Sequence, residues 1–272
     1  DDYLAATKNF VLTVRKGTPV LTATADASST FGEVGPTIAK PTSESRGAIS
    51  FTSSNNAVAT INATNGQVTV VGAGTSTITV TQAATDDYVS ASQTFTFTVK
   101  QAAPTLGKLA AESKTFGDPA FTIENPTSPS SGAFTFTSSN SKIVKISEAG
   151  KATIEGAGTA TITATQAAAG NYAANSVTAD ITVAKGTPEL SNISLTGLVF
   201  GDADTTMAPR STSTGAFTFS SNNARVVTVN ETTGRVRIVG AGTATITVRQ
   251  ASTTNYEAAA SSVTVQVGLA TP

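Results

Sequence analysis

Three carboxylates at equivalent places are the side chains best suited to chemistry: Asp118 and Asp202 in the triplet "FGD", and Glu33 in "FGE". Acids at module junctions offer the hard oxygen donors that Ca2+ prefers, but calcium needs six to eight oxygens, usually from several acids close in sequence. No D-x-D-x-D-G loop is present, and the local acidic clusters are thin: Asp86-Asp87 in one place, Asp202 with Asp204 in another. An aspartate that bonds its own turn backbone explains the same residues with no ion. The turn reading is therefore preferred. Asp118 and Asp202 remain the candidate metal ligands should Ca2+ bind, and no other cofactor is indicated.

Other reactive patterns fail for want of parts. With no His and no Cys, Ser–His–Asp chemistry, thiolate nucleophiles and most zinc sites are excluded. Serines and acids are abundant, but no paired acids recur beside a pocket-forming insertion. Rows of alternating Thr would suit an ice plane only on a flat stack of many strands, whereas this motif returns once per module on a sheet that should twist. A sugar platform normally uses exposed Trp or Tyr; there is no Trp, and the four Tyr share one repeated position. The sequons at Asn62, Asn192 and Asn230 do not fall at one recurring place, which is what chance produces. The sequence reads as non-enzymatic.

Composition narrows the partners. Net charge is −1 and charged residues make up 13% of 272, which leaves no basic footprint for nucleic acid. Apolar runs are three or four residues long, as in "GLVF" at 197–200, so no membrane-inserting segment is predicted. A Thr-rich, Cys-free chain of low charge fits work outside a bacterial cell, where a free thiol is a liability.

The elements that carry these residues repeat. Phe31-Gly32, Phe116-Gly117 and Phe200-Gly201 recur with a period of about 84 residues, and so do Gly72, Gly156 and Gly240, the four tyrosines Tyr3, Tyr88, Tyr172 and Tyr256, and Pro19, Pro104, Pro188 and Pro272. This period predicts repeat 1 over 17–100, repeat 2 over 101–184 and repeat 3 over 185–268. Residues 1–16 read as the end of a preceding repeat, and 269–272 as the start of a following one.

Within each copy the period is two, as in a half-buried strand. In "TATITAT" (159–165) Ala160, Ile162 and Ala164 face one way and the threonines the other; Phe95, Phe97 and Val99 share a face, as do Val236 and Ile238. Short strands separated by Gly, Asn, Ser and Pro predict an all-β chain of tandem immunoglobulin-like sandwiches. The Gly-Ala-Gly triplets (Gly72 and Gly74, Gly156 and Gly158, Gly240 and Gly242) read as tight turns or bulges. Gln82, Gln166 and Gln250 keep the inward parity and should tie down a loop backbone. Tyr88, Tyr172 and Tyr256 read as structural, with a buried ring and a hydroxyl bonded to nearby backbone.

The stretches "TFGD", "SGAFTFTSSN", "GAGTATITATQ" and the recurring "NY" resemble the bacterial Ig-like repeats of large surface proteins, across essentially the whole chain. Glu33 departs from the pattern in repeat 1, so a ligand bound there would not be bound uniformly. The resemblance implies a structural spacer: the stalk of a long extracellular or cell-surface adhesin that projects a distal binding domain. The runner-up reading is a decoration or fibre module of a phage tail or capsid, and a further alternative is an accessory module of a secreted carbohydrate-active protein. The partners it implies are neighbouring Ig-like repeats of a longer chain, with a cell-surface, glycan or virion partner met through other regions. Linkers of about five residues stiffened by Pro predict a beads-on-a-string rod of roughly 120 Å. Unpaired edge strands would also permit pairing into filaments.

Overall fold

The alternating segments do become strands. The structure, a computed structural model, describes residues 2–270, and its long elements among these are all β-strands. Each repeat is built on a four-stranded sheet. In repeat 1 the order is Ala27–Thr30, Ala91–Lys100, Gly74–Gln82, Ile49–Ser53. The first strand runs parallel to the last, with Ala27 opposite Phe97, and the remaining pairs are antiparallel. Repeat 2 uses Glu112–Thr115, Asn175–Ala184, Gly158–Gln166 and Phe134–Ser138; repeat 3 uses Leu198–Val199, Ala259–Gly268, Gly242–Gln250 and Phe217–Ser221.

A smaller sheet covers the inner face of each. It is Ala59–Ile61 with Val68–Val70 in repeat 1, and gains a third strand in the other two, Phe121–Thr122 and Thr205–Thr206. The reason for two layers is the alternation itself: one apolar face per strand must be hidden, and a second sheet hides it. Phe51, Ile78, Val80 and Phe97 fill the first core, Phe136, Val144, Ile162 and Ile181 the second, and Phe219, Val227, Ile246 and Val265 the third. Along Gly158–Gln166 the buried residues are Ala160, Ile162, Ala164 and Gln166, every second position.

By packing, the chain falls into two compact units. One is Asp1–Leu106 with Ser128–Ala133 and Gln166–Asn175; the other is Gly107–Thr127 with Phe134–Thr165 and Ser176–Pro272. These bounds do not follow the repeat period, because two loop segments of repeat 2 pack with repeat 1.

Residues 2–16 share the alternation of 86–101 yet form no strand, and Leu4 and Phe10 are 97% and 87% exposed. Alternation supplies an apolar face but no ladder partner, and no described strand offers them one.

Candidate functional site

The three Gly-Ala-Gly turns start the central strand of each sheet, and two backbone facts fix their composition. Gly74, Gly158 and Gly242 have φ of 141°, 139° and 139°, a region that L side chains rarely enter. A Cβ there would also meet Val58, Ile143 or Val226 at 3.0 Å or less. Gly72, Gly156 and Gly240 are held for a different reason. A Cβ at each would lie 2.7–2.8 Å from the carbonyl oxygen of Ala57, Lys142 or Arg225.

In repeats 1 and 2 the turn places the N–H of its central alanine where a loop of the next repeat takes it up. In the first unit Ala73 N–H donates to Asn171 Oδ1 at 2.8 Å. The neighbouring Tyr172 ring stands edge-on to Phe31, with centroids 5.7 Å apart and planes at 80°. In the second unit Ala157 N–H donates to Asn255 Oδ1 at 3.0 Å, and Tyr256 meets Phe116 at 5.2 Å and 84°. The connecting residues are clipped to the same loops. Ala102 N–H bonds the Asn171 carbonyl at 3.0 Å while Ala173 N–H returns to Ala102 at 2.9 Å; Gly186, Asn255 and Glu257 repeat this arrangement. Gln101 Nε2 adds a bond to Gly170 O at 2.9 Å. Each joint therefore combines a side-chain acceptor, a ring pair and a zipped linker. The ring pair contributes about 0.5–1.5 kcal/mol beyond its buried area, and the hydrogen bond about 1 kcal/mol.

The tyrosines thus differ from the expected corner arrangement. Tyr88, Tyr172 and Tyr256 are half-buried, and none of their hydroxyls is hydrogen-bonded among the described residues. The rings of Tyr172 and Tyr256 lie against Phe31 and Phe116 of the preceding repeat.

The recurring carboxylates close their own turns. Asp118 accepts from Thr115 N–H at 2.8 Å, Asp202 from Val199 N–H at 2.8 Å, and Glu33, one methylene longer, from Thr30 N–H at 2.7 Å. Asp204 is ion-paired with Arg235 at 3.0 Å. Among the described residues no three of His, Cys, Asp and Glu gather in a metal-sized group.

Gln82, Gln166 and Gln250 each donate twice and accept once. Gln166 Nε2 bonds the carbonyls of Ser130 and Gly132 at 3.0 and 2.9 Å, while Ser128 Oγ donates to its Oε1 at 2.6 Å. Gln82 does the same with Ser45, Gly47 and Ser43, and Gln250 with Ser213, Gly215 and Ser211. The serine pairs were not singled out from sequence, although "SES", "SPS" and "STS" stand at matching places. The socket residues Phe31 and Phe116, and the acceptor role of Asn171 and Asn255, were missed too; the one signal was the recurring "NY". One open groove of about 480 Å3 is lined by Ser141, Lys142, Lys145 and Glu155. Among the described residues no helix is long and apolar enough to cross a membrane.

Comparison with known proteins follows the repeats. A search of curated proteins finds no match. Solved structures that align with the chain include Drosophila N-cadherin EC1-3 (12% identity, 92% of this chain and 99% of that one, TM-score 0.33). Sidekick-1 immunoglobulin domains 1-5 align at 12% identity over 94% and 60%, TM-score 0.38. Surface layer protein SbsC, domains 1-6, aligns at 15% over 94% and 40%, TM-score 0.28. Likenesses this distant say nothing about activity. The model of the intimin immunoglobulin-like domain, by contrast, matches residues 35–84, 122–168 and 205–252, one stretch in each repeat and more than half of the chain. The chain belongs to the intimin immunoglobulin-like domain family.

Proposed function

We propose that the chain is a non-enzymatic spacer, a tandem Ig-like stalk within a long extracellular bacterial surface protein of the adhesin type, which holds a distal binding domain away from the cell. The observation that carries this reading is the recurrence of one joint. The same alanine amide, asparagine acceptor and tyrosine–phenylalanine pair connect repeat 1 to repeat 2 and repeat 2 to repeat 3. A chain selected for catalysis would concentrate unusual residues in one copy; here the recurring residues build the joints and close the loops of each copy. Membership of the intimin Ig-like family and the absence of His and Cys support the same reading.

Immunogold electron microscopy tests it, with antibody raised against the 272-residue chain and applied to the source culture. Gold along fibres leaving the cell envelope is the expected result. Gold on free particles with heads or tails would overturn it and make these repeats part of a phage.

A further inference from the structure

The strands by which the chain enters and leaves each repeat lie side by side and run the same way. In repeat 1 Ala27–Thr30 pairs parallel with the end of Ala91–Lys100, and Phe31 N–H extends the ladder to Lys100 O at 2.9 Å. In repeat 2 Glu112–Thr115 does so with the end of Asn175–Ala184, and Phe116 N–H bonds Ala184 O at 2.8 Å. In repeat 3 only Leu198 and Val199 take part, opposite Val267 and Gly268, with Phe200 N–H on Gly268 O at 2.9 Å. Tension along the chain draws the start of the first strand one way and the end of the last strand the other. Parallel neighbours, with their evenly spaced bonds, must then slide past each other, so all rungs bear the load together. An antiparallel pair pulled at its open end would lose them one by one. We propose that these parallel ladders make the chain load-bearing, and that repeat 3 is its yielding element, the first repeat to open under tension.

The order follows from how each ladder is built and braced. Repeat 1 has four rungs, and side chains brace them: Gln93 Nε2 donates to Thr22 O and Thr24 Oγ1 at 2.8 Å, and Thr96 N–H donates to Asp26 Oδ1 at 2.7 Å. Repeat 2 also has four, braced by Asn175 Nδ2 on Pro104 O at 2.8 Å. Repeat 3 has two, and among the described residues no side chain bonds 188–199 to Ala259–Gly268. The missing rungs are the inner ones, opposite Val265 and Gln266, where Thr196 and Gly197 stand in place of Ala27-Ser28 and Glu112-Ser113. Gly197 has φ of 73°, a left-handed conformation that takes the backbone out of a strand. The cores do not differ in the same way, since each holds ten buried apolar residues among those described. The spacer reading supplies the source of the tension; the order of yielding rests on the ladders alone.

Force–extension of single 272-residue chains, pulled from their two ends, is the test. A Gly/Ser insert of about 20 residues between Ala203 and Asp204, both exposed, labels repeat 3 by lengthening its opening step by about 70 Å. The lengthened step should come first, at the lowest force. Thr196→Glu with Gly197→Ser, which restores the repeat 2 pair, should raise the force of that step towards the other two. Asp26→Ala with Gln93→Ala should lower one unlabelled step and leave the lengthened one where it was. Should the repaired repeat fail to fold, its step vanishes, and the order in the labelled parent still decides. A lengthened step that comes last, or at no fixed place, would overturn the yielding role. Steps that open at no more force than stretches an unfolded chain would overturn the load-bearing one. Gold on phage particles would remove the spacer reading and leave both roles standing.

Discussion

A buried glutamine at the end of each central strand is the residue on which the loop geometry turns. Gln250 is 2% exposed and supplies the donors for Ser213 O and Gly215 O. Gln250→Leu keeps the volume but strips both carbonyls of their donor, and each buried group left unsatisfied costs roughly 1–3 kcal/mol. Urea unfolding should therefore show repeat 3 destabilised by about 2–4 kcal/mol, and an unchanged midpoint would contradict the clamp. Its inward placement was legible because it keeps the parity of Ala244, Ile246 and Val248. The serines that complete it were not, since Ser is common throughout the chain and carries no periodic mark. The asparagine of the joint was hidden for a different reason. Asn171 bonds an amide 98 residues away, and nothing in its local sequence points to a partner in another repeat.

At the scale of elements, the long strands were read correctly because nine or ten residues of alternation identify both the element and its buried face. Ile162, fully buried in Gly158–Gln166, tests this: Ile162→Ala should cost about 2–5 kcal/mol, measured as a fall in the unfolding midpoint of repeat 2. A change below about 0.5 kcal/mol, typical of surface positions, would place its side chain outside the core. Strands of two residues, such as Phe121–Thr122 and Leu190–Ser191, cannot display a period and had no signal. Residues 2–16 make the converse point. The alternation of Phe10, Leu12 and Val14 predicts a strand face, but a strand exists only when another completes its ladder. The tyrosines were misplaced on similar grounds. Their recurrence showed a structural role, while the direction of the ring depends on the neighbouring repeat.

For the whole molecule, the contrast between fixed joints and drifting surfaces matters most. Repeat 3 carries Arg210, Arg225, Arg235, Arg237 and Arg249, and repeat 2 carries Lys142, Lys145 and Lys151, with few such charges at matching places in repeat 1. A shared ligand site in every copy would hold those positions constant. A spacer needs only its core and its joints, and a differing surface discourages identical neighbours from sticking to one another. The three matched stretches establish the module, and the proposed spacer role would give it one purpose, length. Small-angle X-ray scattering of the 272-residue chain tests that purpose most directly. A spacer rod of roughly 120 Å, three sandwiches end to end, would give a radius of gyration of about 35 Å, the expected result. A value of about 19 Å, that of one compact body of this chain length, would contradict it.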